Sequence, residues 1–165
     1  MSERFIMYYE APVGKIKITA NNKAVTSIHF VGKGEKAKSE KPNAITRRCK
    51  KQLQEYFAGK RKKFELPLEL EGTEFQKKVW KALMKIPYGK TASYGEIAGK
   101  INNKKAVRAV GGANNKNKIA IVIPCHRVIG ADGSLTGYAG GLNIKQWLLN
   151  HEKEFSGEEK QTEMF

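Results

Sequence analysis

The sequence predicts an α+β protein with a small antiparallel sheet in its N-terminal part and a mainly helical C-terminal part. Three short segments rich in Ile, Val, Thr, Tyr and Phe, separated by turn-prone residues, indicate the sheet. Two capping boxes, Thr73 with Gln76 and Ser93 with Glu96, mark helix starts. The helix from Ser93 and a second short helix, separated by a polar turn, are typical of a helix-turn-helix.

The N-terminal part is predicted to be a three-stranded meander followed by one helix. Its strands are expected at residues 4–10, 13–20 and 24–30. Residues 31–43 are rich in Gly and Lys and form a connector. Apolar positions at helical spacing over 44–58, ended by Gly59, predict an amphipathic helix. Residues 60–71, extended around Pro67, link the two halves.

The C-terminal part is predicted to contain four helices and one buried strand. Beyond the two capped helices, further helices are expected at residues 105–114 and 143–152. The β-branched run 119–123 predicts a buried strand, which Pro124 stops because proline cannot donate to a sheet. We therefore expect an N-terminal domain with its connector at 1–72, a C-terminal domain at 73–155 and a flexible tail at 156–165.

The charge of the chain favours a polyanionic partner. Its 165 residues are 40% hydrophobic, an ordinary soluble composition, but the formal net charge is +15. Residues 73–150 carry 13 Lys and Arg against 3 acidic residues, and residues 90–127 carry 8 against 1. Nucleic acid is the first partner that such a basic region suggests. Apolar runs are too short for a membrane span.

Cysteine usage predicts a reduced, cytoplasmic protein. Cys49 and Cys125 do not make a disulfide framework, and no export signal precedes them. The Cys and His residues are scattered except for the adjacent Cys125 and His126, so no metal site is expected. Cys49, on a helix flank without a neighbouring base, is interpreted as an inert thiol.

Cys125 and His126 are the candidates for chemistry, and their reaction needs a local turn. A free thiol needs a base or a positive environment to become a nucleophile. Adjacent residues on a strand face opposite ways, so His126 can assist Cys125 only if the chain turns there or a water bridges them. Glu152 is a candidate to orient the imidazole. An inert buried cysteine that happens to precede a histidine is the structural alternative.

The run PCHRV at 124–128 resembles the signature of the O6-alkylguanine-DNA alkyltransferases, also called methylated-DNA–protein-cysteine methyltransferases. SYGEIA at 93–98, RAVGGAN at 108–114 and the distal WLLNHE are similar to the same family. The resemblance implies a ribonuclease H-like N-terminal domain and a winged-helix-like C-terminal domain. It also implies repair by stoichiometric transfer of the alkyl group of O6-alkylguanine, and of O4-alkylthymine, in a single turnover without a cofactor.

The resemblance also implies roles for individual residues. Cys125 would be the alkyl acceptor, ionised by His126 through a water, and Glu152 would hold His126. Asn117 would brace the turn, although Lys118 stands where the family commonly has proline. Tyr94 would lie by the flipped nucleotide and help protonate the departing guanine.

The implied partner is double-stranded DNA, bound by a monomer through the minor groove. Arg108 would occupy the space left by the flipped base. The other implied DNA-binding residues are Lys104, Lys105, Ala106, Ala109 and Gly111. The implied substrate pocket comprises Tyr94, Val128, Tyr138, Ala139 and Gly140. Without the resemblance, Tyr94 and Tyr138 are better interpreted as core aromatics, and Arg108 as a solvated helix charge.

Three other functions fit parts of the pattern. A lesion-sensing relative would bind alkylated DNA without chemistry, but such proteins lack the cysteine at this position. A helix-turn-helix regulator would need polar base-reading side chains, and the second helix offers little beyond Arg108. A Cys-His hydrolase would act on esters without any dependence on DNA.

Overall fold

The computed structural model describes residues 3–138 and 140–163, with side chains up to Ser156. The chain divides into two compact units. The first comprises Met1–Glu71 together with Lys118–Ala120, and the second comprises Gly72–Asn117 with Ile121–Phe165. Within the described residues, no helix is long and apolar enough to cross a membrane.

The first unit is an antiparallel sheet with one helix packed on it. Strands β1 (Phe5–Ala11), β2 (Gly14–Ala20) and β3 (Val25–Phe30) pair in the order β1-β2-β3, which confirms the predicted meander. Helix α1 (Ala44–Phe57) begins at Asn43, whose side chain accepts from the Thr46 N–H. The core contains the fully buried residues Ile16, Ile18, Val25, Cys49, Leu53 and Tyr56.

The predicted strand over residues 119–123 is wrong, although the burial of this run is as expected. Ile119 forms an isolated bridge with Ile28, whose N–H donates to the Lys118 carbonyl and whose carbonyl accepts from the Ala120 N–H. Ile121 then has φ 71°, a left-handed conformation that ends any extended run. Ile119, Ile121 and Ile123 are nevertheless at most 2% exposed. The apolar pattern therefore indicates the burial of this run correctly, although the run does not form a strand.

The second unit is built on three packed helices. Helices α2 (Glu74–Leu83) and α3 (Tyr94–Lys100) begin at the two predicted capping boxes. Helix α4 (Val107–Asn115) follows α3 after a short turn. The Trp80 indole N–H donates to the Ala113 carbonyl at 2.9 Å and fastens α2 to α4. The predicted mainly helical C-terminal part is confirmed.

Two short strands and a long helix complete the second unit. Strands β4 (Ala92–Ser93) and β5 (Val128–Ile129) pair in parallel, a contact too short for sequence periodicity to predict. Helix α5 spans Leu142–Glu163, so it continues beyond the predicted end at residue 152 into the segment expected to be a tail. The added segment contains Glu, Lys and Gln, which are good helix formers and extend an existing helix at little cost.

Candidate active site

A 3-10 turn at Cys125–Arg127 gives the site its geometry. Pro124 has ψ 63°, which bends the chain, and the Arg127 N–H donates to the Pro124 carbonyl at 3.0 Å. Neighbouring side chains in a tight turn are not forced onto opposite faces, as they are in a strand. The local turn that the Cys125–His126 pair requires is therefore present. Both residues are buried, with Cys125 6% exposed.

Asn117 ties the preceding loop to this turn. Its side-chain Nδ2 donates to the Ile123 carbonyl at 2.9 Å and to the Cys125 Sγ at 3.1 Å. The side chain thus contacts both the backbone that leads into the turn and the sulfur itself. Lys118 in place of the family's proline does not prevent these contacts.

A buried carboxylate lies next to His126, supplied by helix α5. His126 Nε2 and Glu152 Oε2 are 2.7 Å apart, and both side chains are at most 1% exposed. Arg127 binds the same carboxylate, with Nε at 2.8 Å from Oε1 and Nη2 at 3.0 Å from Oε2. Its Nη1 donates to the Ile86 carbonyl at 2.7 Å, and its guanidinium lies over the Tyr88 ring. Two consecutive residues, His126 and Arg127, therefore bind one carboxylate.

The cluster holds Glu152 ionised and His126 neutral. Burial would raise the pKa of the Glu152 carboxyl, but the hydrogen bonds of His126 and Arg127 and the charge of Arg127 hold it well below its usual range. Burial lowers the pKa of His126; Glu152 opposes this, while Arg127 and Lys145 add to it. Because Arg127 already balances the carboxylate, the imidazole need not be protonated. A neutral ring that donates from Nε2 to Glu152 keeps Nδ1 as an acceptor.

The burial of Cys125 favours its thiol over its thiolate. Burial raises its pKa, although the Asn117 hydrogen bond and the charge of Lys145 act in the other direction. Because burial favours the protonated sulfur, Cys125 needs a base to take its proton before it can attack. Cys49 is also a buried thiol; burial raises its pKa to about 12, and no base is seen beside it in the described residues.

Sequence reasoning gave no role to Lys145 and Arg127, which both belong to the cluster. The Lys145 side chain is buried, its Nζ donates to the Thr136 carbonyl at 2.7 Å, and its charge interacts with Cys125. Burial lowers its pKa. A signal for it exists in the sequence, because Lys145, Leu148 and Glu152 share one face of a helix. Because lysines are mostly exposed, a lysine on the buried face of α5 indicates an interaction inside the protein.

The structure places most of the expected pocket residues near this cluster. The Tyr94 hydroxyl and the Thr136 Oγ1 are 2.8 Å apart, which joins α3 to the loop between β5 and α5. Val128 is fully buried in β5. Burial raises the pKa of Tyr138 well above its usual value, and nearby Cys125 and Glu152 add to this. Gly140 is half-buried, and Ala139 lies outside the described residues.

The expected DNA-binding residues lie on and before helix α4. Lys104, Lys105, Arg108 and Ala109 are exposed, and Ala106 and Gly111 are half-buried. A Cβ added at Gly111 would lie 3.8 Å from the Tyr94 ring, so the small residues of α4 bring this helix close to Tyr94. Helix α4 and the first residue of α3 therefore adjoin each other at Gly111 and Tyr94.

Comparison with known protein families identifies both halves of the chain. Residues 74–154 match the model of the 6-O-methylguanine DNA methyltransferase DNA-binding domain. Residues 5–70 match the ribonuclease-like domain of the same enzymes. The chain belongs to the 6-O-methylguanine DNA methyltransferase family.

Individual relatives agree with this membership. A methylated-DNA–protein-cysteine methyltransferase of Methanosarcina acetivorans is 52% identical over 155 residues, covering 88% of this chain and 98% of the relative. The crystal structure of the O6-methylguanine methyltransferase of Mycobacterium tuberculosis has a TM-score of 0.84 and 43% identity, over 92% of this chain and 94% of that one. A structure of Mycobacterium tuberculosis OGT in complex with DNA has a TM-score of 0.83, 44% identity and coverage of 90% and 92%.

These relationships confirm the family membership, the α+β fold and the methyltransferase activity expected from the sequence. This methyltransferase repairs DNA by direct transfer of an alkyl group from the damaged base to its own cysteine. The non-catalytic lesion sensor is not favoured, because the relatives are methyltransferases and Cys125 is present. In the described residues, no three His, Cys, Asp or Glu side chains form a group that could hold a metal ion.

Proposed function

We propose that Cys125 is the acceptor in this family reaction and that its proton leaves through His126. The sulfur attacks the alkyl carbon on guanine O6, the carbon–oxygen bond breaks, and a thioether forms on the protein. The thiol proton passes by way of a water to His126 Nδ1, and Tyr94 donates a proton to the departing guanine. The guanine thus leaves as a neutral base.

The arrangement of His126 is the observation that carries this proposal. Its Nε2 is committed to Glu152 at 2.7 Å, whereas its buried Nδ1 has no hydrogen-bond partner among the described residues. A buried acceptor without a protein partner costs free energy unless a ligand or water satisfies it. A neutral imidazole with a fixed tautomer is the correct form for a general base.

Glu152, Arg127 and Asn117 act by positioning. Glu152 orients the imidazole and stabilises the imidazolium that forms as the proton moves. Arg127 keeps Glu152 ionised so that this stabilisation is available. Asn117 holds the sulfur and the turn together through its two hydrogen bonds.

The alkyl carbon can be reached only if the nucleotide leaves the duplex. Base flipping costs a few kcal/mol, less for a badly paired lesion. We propose that α4 enters the minor groove of double-stranded DNA and that Arg108 fills the space of the flipped base, which offsets part of this cost. The small residues Ala106, Ala109 and Gly111 permit close approach, and Lys104 and Lys105 bind phosphates. Tyr94, Val128, Tyr138 and Gly140 would line the pocket, which also accepts O4-alkylthymine.

The protein is proposed to act as a cytoplasmic monomer. One chain supplies the thiol, the base, its orienting carboxylate and the DNA-binding helix, so the reaction needs no second copy. Cys125 must remain a thiol to act, which suits a reducing compartment.

The test is the stoichiometry of transfer from DNA that contains O6-methylguanine. With DNA in excess, the amount of repaired guanine should rise to a plateau equal to the amount of protein, because a thioether offers no route back to the thiol. Cys125→Ser should give no repair, and Cys49→Ser should match the parent. Repair that continues past one equivalent, or that survives Cys125→Ser, would overturn the proposal.

A further inference from the structure

A basic cavity lies on the second unit, formed by α2 and the end of α3. It has a volume of about 490 Å3 and is lined by Lys78, Lys81, Ala82, Lys85, Lys100, Ile101 and Asn102. Ala82 is buried, and the four lysines are exposed. The cavity is therefore an apolar floor surrounded by four ammonium groups.

Lys81 and Lys100 lie in the last turns of α2 and α3, where a cation is favourable, but no acidic side chain neutralises the lysines of this cavity in the described part of the chain. Lys78, Lys81 and Lys85 follow at helical spacing along one exposed stripe of α2 and the turn after it. Within the described part of the chain, no acidic residue lines the cavity and none of its lysines forms an ion pair, whereas Lys77 lies 3.9 Å from Glu74. Four like charges around one concave surface repel one another, which favours an anion that neutralises them.

The structure indicates an extended polyanion as the occupant. The lysines reach the cavity on flexible stems, and helices α2 and α3 both present their C-terminal ends near it, where backbone carbonyls predominate. Backbone N–H groups, the usual ligands of a single bound phosphate, are scarce at such ends. A surface of mobile ammonium groups suits a phosphate backbone, where each contact releases counterions.

The cavity is continuous with the helix-turn-helix. Asn102 has φ 58° and ends α3, and the Asn103 N–H donates to the Ala98 carbonyl at 2.9 Å, which fixes this corner. The exposed Lys104 and Lys105 follow directly and lead into α4 and Arg108. A duplex whose minor groove holds α4 would therefore extend toward the lysines of α2.

We propose that this cavity is a second phosphate-binding surface, which holds the backbone of the DNA duplex beyond the flipped nucleotide. The inference rests on the proposed function, because it takes the position of α4 in the groove as its reference. It extends the DNA contact from the helix-turn-helix to the outer face of α2. The surface adds affinity without sequence preference, as suits a protein that must search undamaged DNA.

The test compares two triple variants with equal net charge. Lys78→Gln/Lys81→Gln/Lys85→Gln removes the lysines of α2, and Lys23→Gln/Lys33→Gln/Lys36→Gln removes three exposed lysines of the first unit. For a long duplex, the slope of log affinity against log salt should become shallower by about 1 to 3 in the α2 variant only, since each phosphate that the protein no longer neutralises reduces it by roughly 0.9. A short duplex that contains the lesion but no flanking DNA should show no difference.

Three further measurements separate the explanations. Transfer from the free base O6-methylguanine should be unchanged in both variants, which shows that the active site is intact. Inorganic phosphate should weaken DNA binding no more than chloride does at equal ionic strength; specific competition would assign the cavity to a free anion and overturn the proposal. Equal slopes of log affinity against log salt in the two triple variants would also overturn the second phosphate-binding surface. In that case, alkyl transfer from DNA to the parent protein would still support the proposed function. If the parent protein took no alkyl group from DNA, both the proposed function and the second phosphate-binding surface would be overturned.

Discussion

At the scale of single residues, the reaction depends on the different contacts that three consecutive side chains make. Cys125 contacts Asn117, His126 contacts Glu152, and Arg127 binds Glu152 through two nitrogens. Arg127 balances the buried carboxylate, so His126 stays neutral and can accept a proton. The sequence identified Cys125, His126 and Glu152 as candidates, but the contact of Glu152 with His126 depends on where α5 packs. Arg127 and Lys145 received no role because their charge resembles that of many surface residues.

Arg127→Met should destabilise the fold more than it changes the pocket. The substitution leaves the Glu152 carboxylate buried without its main cation, which typically costs about 3–5 kcal/mol. The free energy of unfolding in denaturant is the measurement. The double variant Arg127→Met/Glu152→Gln should recover part of the loss because it removes the unbalanced charge. A single variant as stable as the parent would contradict the assigned role of Arg127.

Acidification should weaken the fold through His126 and Glu152. The folded-state pKa of His126 lies below the ordinary 6.5. Below pH 6.5 the imidazole is therefore protonated more readily in the unfolded chain than in the native protein. The folded-state pKa of Glu152 also lies below its ordinary 4.5, so the unfolded chain takes up a second proton near that pH. The free energy of unfolding should therefore fall as the pH drops from 7 toward 4. In His126→Asn, the decrease near pH 6.5 should disappear; an unchanged pH dependence would contradict the neutral, buried histidine.

Lys145→Met should slow transfer and shift its pH dependence. The lysine charge favours the thiolate of Cys125, so removing it should reduce the rate at neutral pH by on the order of tenfold. The rate should recover at higher pH, where the thiol ionises without help. Lys153→Met, an exposed position on the same helix, is the matched control. A pH–rate profile identical to that of the parent would exclude an electrostatic role for Lys145.

At the scale of elements, the 3-10 turn at Cys125–Arg127 follows a buried apolar run, and Asn117 holds the turn through hydrogen bonds to the Ile123 carbonyl and the Cys125 Sγ. The capping boxes of α2 and α3 were readable because they are local hydrogen-bond patterns. Residues 119–123 could not be predicted in this way, since periodicity reports burial and cannot show that Ile119 forms an isolated bridge with Ile28 in place of a strand. The pairing of β4 with β5 joins residues far apart in sequence through two positions each, and it leaves no local signal. Such features follow from tertiary packing.

Asn117→Ala should impair the turn and the sulfur together. It removes the donor to the Ile123 carbonyl and to the Cys125 Sγ, so we expect a loss of about 1–3 kcal/mol in stability and slower transfer. Rates should fall with both damaged DNA and the free base O6-methylguanine, since the defect lies at the thiol. If transfer from the free base were unaffected, Asn117 would serve only the DNA complex.

At the scale of the whole molecule, the chain places its chemistry in the second unit and carries net positive charge in both units. The family comparison covers both units, residues 5–70 and 74–154. The division into an N-terminal sheet and a helical part was readable from patterns of β-branched residues and caps. Charge density indicated nucleic acid, but only the structure shows that four lysines surround one cavity beside the helix-turn-helix.

Alkylation should destabilise the protein as a whole. Cys125 is only 6% exposed, so a methyl group on its sulfur must be accommodated in a packed site, which typically costs about 1–3 kcal/mol. The denaturant midpoint should be lower after reaction with one equivalent of methylated DNA, once the DNA is removed. Unreacted protein carried through the same procedure is the control. A higher midpoint after reaction would show that the pocket already holds space for the product.

The most direct test of the central claim is to locate the transferred methyl group on the protein. Protein reacted with excess O6-methylguanine DNA is digested, and its peptides are mapped by tandem mass spectrometry. We predict one methyl group per chain, on Cys125, and an unmodified Cys49. A methyl group on any other residue, or a fully repaired substrate with an unmodified Cys125, would contradict the account.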